Sequence, residues 1–313
     1  MATIIRKSIE AYKFVFIEIP DPRTKDWFLL AKPYQGLTLL ALYLLFVLKW
    51  GPKLMKDRQP LNLDKIMIVY NLIQIISCAF MFITGLNIWT TKYRLFCEPV
   101  DFSDSEESLY IAKLVYYYFI LKILDLADTI FFVFRKKFKQ ISFLHVYHHT
   151  GMVLIIWGAG TYLPGGHATF VGLINSFVHV VMYSYYLLTI IKPSMKNSVA
   201  IKKFVTQIQI IQFLLFSLHM GSLVFIPDCA YPRWTSAVFL PQNLFMLILF
   251  IDFYIKTYIR KPKQSAQSKK INEENRENGD TPQKNGSNKI GSEYKLAEDS
   301  KAILRNGHKQ NVE

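Results

Sequence analysis

Seven long apolar blocks separated by short charged segments leave this chain few ways to fold. They run over 34–50, 65–88, 109–134, 143–162, 168–191, 204–226 and 235–258. Each is near the length, about 20 residues, that lets a helix cross roughly 30 Å of hydrocarbon. At that depth every backbone polar group must be satisfied within its own segment, which favours helices over open strands. The pattern predicts an all-α membrane protein with seven transmembrane helices over 34–259, an N-terminal segment over 1–33 and a polar tail over 260–313. The first block is the shortest and the third the most polar. Tyr162-Leu163-Pro164-Gly165-Gly166-His167 reads as a tight turn that folds blocks four and five into a hairpin. There is no internal repeat and no nucleotide-binding loop.

Charge sets the orientation. Lysine and arginine number 37 against 23 acidic residues, a net charge of +14. The basic residues flank apolar blocks instead of striping a soluble domain, so membrane topology explains them and nucleic acid is not an expected partner. Lys53, Lys56, Arg58 and Lys65 follow block one; Arg135, Lys136, Lys137 and Lys139 follow block three. Lys192, Lys196, Lys202 and Lys203 follow block five, and Arg260, Lys261 and Lys263 follow block seven. All four groups fall on one side of a seven-span topology, and that side is expected to be cytosolic. The N-terminus is then luminal, the C-terminus cytosolic, and the acidic 92–108 loop luminal. Residues 1–25 are charged throughout, without the apolar core of a signal peptide.

The tail is rich in Lys, Asn, Glu, Gln and Ser and is expected to be disordered. Its Asn285-Gly286-Ser287 pattern would not meet the glycosylation machinery from the cytosol. The chain ends in neither Lys-Asp-Glu-Leu nor paired lysines. Of its three cysteines, Cys78 lies mid-block and reads as packing. Cys97 and Cys229 fall in luminal loops, where an oxidising compartment permits a disulfide; two free thiols are the alternative.

Polar residues inside apolar blocks mark a site, because hydrocarbon accommodates them poorly. His145, His148 and His149 stand at i, i+3 and i+4, one face of a helix, just ahead of the apolar run Met152–Trp157. Three satisfied core histidines on one face would be an unusual coincidence. Block three carries Lys122, Asp125 and Thr129 on one face with Asp128 at its border. A charge at bilayer centre costs about 2.5–3.5 kcal/mol, so such groups pair or line a cavity. A Lys–Asp lock between helices would account for one carboxylate, not two. Block five presents Asn175, His179, Tyr183 and Tyr186 as one stripe, and block six Thr206, Gln209, Gln212 and His219. The glutamines also suit interhelical hydrogen bonding, about 1 kcal/mol each. His167, in the turn, and His308, in the tail, look incidental.

Three kinds of function use such a constellation. An imidazole nucleophile in a buried tunnel can transfer an acyl group, with Lys122, Asn175 or tyrosines meeting enolate charge. Clustered imidazoles can hold a metal or a metal pair, as in membrane desaturases and hydroxylases. A seven-span receptor or transporter can bind a ligand along polar stripes. A di-iron desaturase calls for around eight histidines in separated boxes. This chain has seven in all, including His167 and His308. The receptor reading finds no Asp-Arg-Tyr closing block three and no Asn-Pro-x-x-Tyr in block seven. Metal remains the alternative to acyl transfer.

These residues resemble the very-long-chain fatty acid elongases, membrane 3-ketoacyl-CoA synthases. The His-x-x-His-His pattern is met by His145, His148 and His149, and Lys-x-x-Glu-x-x-Asp-Thr by Lys122, Asp128 and Thr129. Asn175, His179, Met182 and Tyr183 match a third box, and Thr206, Gln207, Gln209 and Gln212 a fourth. Asp21-Pro22-Arg23, Gly51-Pro52-Lys53 and Arg135-Lys136-Lys137 also match, so the likeness covers roughly residues 20–262. Asp125 departs from it, standing where the family usually has Glu, one methylene longer. Val146, where saturated-chain members usually carry Trp, resembles the polyunsaturated and very-long-chain branch.

The resemblance implies a multi-pass endoplasmic reticulum enzyme condensing acyl-CoA with malonyl-CoA and releasing CO₂ and CoA. Six helices would enclose a closed-ended acyl tunnel. No cofactor or metal is expected beyond the two substrates. Expected partners are the lipid bilayer, the reductases and dehydratase of the elongation cycle, and a second copy of the chain. His148 is the expected acyl carrier and His179 its orienting or proton-moving neighbour, with His145 and His149 in support. Lys122, Asp125, Asp128 and Asn175 would serve malonyl-CoA. Thr129, Tyr183, Tyr186, Gln209 and Gln212 would contact substrate, and Arg135, Lys136, Lys137, Lys202 and Lys203 the CoA phosphates.

Overall fold

The computed structural model describes residues 2–260, with side chains from Thr3 onward. The expected disordered tail and its glycosylation pattern lie outside the described residues. The chain divides into a unit Met1–Tyr258 and a second unit Ile259–Glu313. Among the described residues all regular structure is helical: α1 (Ala2–Lys13), α2 (Pro33–Leu45), α3 (Gly51–Leu54), α4 (Asp64–Thr91) and α5 (Glu106–Leu124) come first. They are followed by α6 (Ala127–Phe134), α7 (Phe143–Tyr162), α8 (Thr169–Ile191), α9 (Val199–Phe225) and α10 (Trp234–Tyr254). A wider π turn, Phe46–Trp50, carries α2 into α3, so the first block continues to Leu54 instead of ending at 50.

Local chemistry explains where these helices start. Pro33 opens α2, where its missing N–H costs nothing. Ser105, Ser142 and Ser198 each accept a backbone N–H from the first turn of α5, α7 and α9. The Ser142 cap takes the amide of His145 and thereby fixes the start of the histidine-bearing helix.

Among the described residues five stretches are long and apolar enough to cross a membrane: Pro33–Leu54, Asp64–Thr91, Gly166–Ile191, Val199–Phe225 and Trp234–Arg260. Five falls short of the seven expected. Block three is not one helix: it breaks at Asp125–Leu126, where Leu126 N–H and Asp128 N–H bond three residues back, to Ile123 and Asp125. Block four is one helix, α7, but three histidines dilute its apolar character. Both departures come from the polar residues that make the site.

The packing is that of a chain built for lipid. In α4 the exposed stripe is Ile66, Val69, Ile73, Ile76, Phe80 and Ile83, at spacings of three and four, while Asn71, Gln74, Ser77 and Cys78 are buried. Apolar outside and polar inside inverts the soluble-protein pattern and suits a hydrocarbon solvent. The protein is a multi-pass membrane protein. Its closest helix pairings are α4 with α8, α9 with α10 and α5 with α7.

The bundle has two distinct ends. At the basic end the Lys136 ammonium donates to the carbonyls of Lys56 and Arg58, each at 3.0 Å, and Arg135 faces Asp64 at 3.6 Å. At the other end Cys97 and Cys229 form a disulfide, joining the loop after α4 to the loop after α9. Arg23 grips the Asp21 carboxylate at 2.6 Å and donates to the carbonyls of Asp101 and Ser103 at 2.8 and 2.9 Å. The Asp21 bond holds the guanidinium pKa above its ordinary value, and the Ser103 amide holds Asp101 below the usual carboxylate range. Gly166 has φ +65° and passes so close to the Glu98 carbonyl that a Cβ would sit 2.8 Å from it.

Candidate active site

The break between α5 and α6 makes room for a buried polar cluster. Lys122 and Asp125, each 3% exposed, pair at 2.7 Å. The Lys122 ammonium also donates to Asn175 Oδ1 at 2.9 Å and lies 4.8 Å from the centre of the Tyr118 ring. Asp125 is further held by Gln74 Nε2 at 2.7 Å and the Tyr183 hydroxyl at 3.0 Å, with His179 Nδ1 3.7 Å away. Tyr183 reaches Asp128 Oδ2 as well, at 2.9 Å. A carboxylate taken by three donors is a fixed acceptor, so Asp125 aligns its neighbours.

Asn175 connects this cluster to the next. Its carbonyl accepts from Lys122 and, at 2.7 Å, from the Tyr118 hydroxyl; its amide donates to Gln212 Oε1 at 3.1 Å. Gln212, Asn175 and His148 together line a narrow cavity with Gln242 and Asn243 of α10 and the apolar Met152, Phe213 and Phe239. The His148 ring stands edge-on to Phe213 at 5.9 Å, and its Nδ1 is buried without a partner among the described residues.

The other two histidines are spoken for differently. His145 Nε2 bonds Thr129 Oγ1 at 2.9 Å, and Thr129 bonds the Tyr43 hydroxyl at 2.7 Å. The His149 ring lies 4.3 Å from that of His145, tilted by 47°. Among the described residues no three His, Cys, Asp or Glu side chains come together in a way that could hold a metal ion.

Beside the cluster lies an apolar cavity walled by α4, α5, α7 and α8. Tyr118 belongs to both: its ring lines the cavity and its hydroxyl bonds Asn175. From Tyr118 the cavity runs past Gly172, Leu173 and Ile156 to Tyr93, Leu163 and Gly165 near the disulfide end. The polar site thus lies toward the basic end, with an apolar pocket leading away from it.

Lys122, Asp125, Asp128, Thr129, His145, His148, His149, Asn175, His179, Tyr183 and Gln212 are therefore brought together. Tyr186 sits at the margin, edge-on to Tyr183 at 6.0 Å and 36% exposed. Gln209 points its amide at Met182 Sδ, 3.6 Å away. Lys203 lies over the Tyr254 ring at 5.8 Å, while Lys137 and Lys202 are exposed at the surface. His219 leaves the glutamine stripe and joins His167 at the far end. Their rings stack at 3.8 Å, each bonding the other's carbonyl, so His167 is a fully buried structural residue and not an incidental one.

Sequence reasoning missed Gln74, Tyr70, Tyr118, Gln242 and Asn243. A signal was present for Gln74: Asn71, Gln74 and Cys78 share a face at spacings of three and four in an otherwise apolar block.

A polar cluster buried in a polytopic helical bundle and abutting an apolar pocket defines a membrane protein with polar and apolar surfaces side by side in its interior. Residues 28–266 match the model of the GNS1/SUR4 (ELO) family, and the chain belongs to that family. It is 36% identical over 299 residues to a mouse protein named very long chain fatty acid elongase 4, covering 91% of this chain and 94% of that one. The rat very long chain fatty acid elongase 2 is 40% identical over 244 residues, 77% of this chain and 86% of its own. A fruit fly (Drosophila melanogaster) protein named very long chain fatty acid elongase 7 is 37% identical over 253 residues, 80% and 77% of the two chains.

Proposed function

We propose that the chain elongates fatty acids by condensing a long acyl-CoA with malonyl-CoA to a 3-ketoacyl-CoA, with loss of CO₂ and CoA. The observation that carries this reading is the adjacency of His148, the Lys122–Asn175 cluster and an apolar cavity that shares Tyr118 with them. In the first step a His148 ring nitrogen attacks the thioester carbon, the C–S bond breaks, and the imidazole N–H proton passes to the CoA sulfur. In the second, the C–CO₂ bond electrons of malonyl-CoA become an enolate as CO₂ leaves. The enolate carbon attacks the acyl-imidazole, and the departing imidazole nitrogen takes up one proton.

Lys122 and Asn175 suit the enolate charge, and His179, beside Asp125, suits orientation or proton movement. Asp128 and Tyr183 hold the far side of that cluster. The acyl tail occupies the apolar cavity, and substrate enters from the basic end. There Arg135, Lys137, Lys202 and Lys203 attract the CoA phosphates, whereas Lys136 is engaged with two carbonyls. The protein sits in the endoplasmic reticulum membrane with seven spans, the broken α5–α6 and α7 being the two most polar. Its disulfide end is luminal and its basic end cytosolic, which agrees with the oxidising lumen that a disulfide needs. It works beside the reductases and dehydratase of the same cycle and as an oligomer, and prefers very long or polyunsaturated chains.

Purified protein given acyl-CoA alone tests the chemistry. Release of one CoA per site and a mass gain of one acyl group, mapped to His148 and lost in His148→Ala, is the expected result. No adduct, together with activity lost to chelators and restored by iron, would replace it with the metal reading.

A further inference from the structure

The route by which charge leaves Lys122 has a destination. Its ammonium bonds the Asn175 carbonyl, and the Asn175 amide bonds the Gln212 carbonyl, so each dipole is aligned by the one before. The Gln212 amide nitrogen makes no hydrogen bond among the described residues, although Gln212 is 3% exposed and lines the cavity that His148 lines. Across that cavity Asn243 is 7% exposed, with a buried amide nitrogen that has no partner among the described residues. Two side-chain amides with spare donors, one of them polarised by a lysine through a second amide, therefore face the space beside an unpartnered imidazole.

We infer that Gln212 and Asn243 form the oxyanion site for acyl transfer to His148, donating to the thioester oxygen as the carbonyl carbon becomes tetrahedral. This rests on the acyl-imidazole reading. When the imidazole lone pair forms the C–N bond, the carbonyl π electrons move to oxygen, where the two amide N–H groups meet them. They return as the C–S bond breaks and the imidazole proton goes to the CoA sulfur. The same two donors then hold the oxygen of the acyl-imidazole while the enolate attacks it. Donors fixed before charge develops need no reorganisation, and losing one such donor typically slows acyl transfer about 10²–10³-fold.

The geometry separates this role from a structural one. Gln212 offers its carbonyl to Asn175 and its amide to the cavity, so Gln212→Glu keeps the acceptor and removes the donor. Asn243→Asp does the same on α10. The rate of CoA release from acyl-CoA alone is measured in single turnover, beside the affinity for a non-transferable acyl-CoA thioether. Each substitution is expected to slow release by about 10²-fold while thioether affinity stays within about threefold, the split of a donor needed only as charge develops. Wild-type protein that releases no CoA overturns the acyl-imidazole reading itself. Wild-type release with both variants within about threefold of it overturns the oxyanion assignment alone, since one lost donor should cost far more. A second measurement needs no substitution: the infrared carbonyl stretch of a bound ketone analogue, with a methylene between sulfur and the ¹³C=O. A shift to lower wavenumber than in apolar solvent supports the two donors, and an unshifted band overturns them.

Discussion

Lys122 shows how a single charged residue is carried in a helical bundle. Asp125 at 2.7 Å, the Asn175 carbonyl at 2.9 Å and the Tyr118 ring surround it, and nothing else on α5 below Lys113 is charged. Removing one member of a buried pair leaves an uncompensated charge and typically costs about 3–5 kcal/mol, whereas removing both charges is often neutral. Lys122→Met alone should therefore lower the melting temperature in detergent sharply. The double change Lys122→Met with Asp125→Asn, which leaves an acceptor for Gln74 and Tyr183, should recover most of the loss. Elongation of acyl-CoA should be absent from both proteins. A double variant no more stable than the single would mean that the pair does not govern stability. The polar residues of this site were legible because an apolar block makes each one conspicuous. Gln74 was not, since an amide in a membrane helix equally suits a helix–helix hydrogen bond.

At the scale of elements, two contacts set how helices meet. In α3, a Cβ on Gly51 would lie 2.6 Å from the Val133 side chain and 2.8 Å from the Phe46 carbonyl. Gly51→Ala must then push α3 off α6 and is expected to cost about 1–3 kcal/mol, as overpacking does; the melting temperature checks it. At the opposite end Arg23 and Asp21, 3% and 0% exposed, tie the segment before α2 to the loop before α5. Arg23→Ala leaves Asp21 buried alone and should open that loop to protease at Asp101–Ser105; unchanged cleavage would mean that the disulfide suffices to hold it. Helix positions were legible from the apolar blocks, whereas the serine caps that start α5 and α9 three to five residues earlier than the blocks were not read from them. The break at Asp125–Leu126 was not, because no glycine or proline marks it and it arises from the bonds that the two carboxylates make inside the bundle. His167 misled for a related reason: a turn is normally solvated, yet here the loop from Glu98 and the disulfide-tied segment around Tyr231 cover it.

For the molecule as a whole, the sequence indicated an all-helical membrane protein and its polar residues, with seven spans expected where five of the described stretches qualify, but not the space between them. A cavity is what side chains from α4, α5, α7 and α8 fail to fill, and no single block encodes it. Along α8 and the residue before it the positions that face it fall in order from the far end: Ala168, Thr169, Gly172 and Leu173, with Asn175 of the polar cluster beyond them. Ala168 and Asn175 are about 10 Å apart at 1.5 Å per residue. If the acyl tail lies here, bulk at the two ends should act differently. Ala168→Phe fills the far end and should shorten the longest product while leaving turnover of shorter acyl-CoA near that of the parent protein. Gly172→Leu crowds the Tyr118 ring, which a Cβ at Gly172 would approach to 3.7 Å, and should slow chains of every length. Product profiles by mass spectrometry, from microsomes given labelled malonyl-CoA and a series of acyl-CoAs, separate the two patterns. Identical profiles from Ala168→Phe and the parent protein would place the acyl tail elsewhere in the bundle.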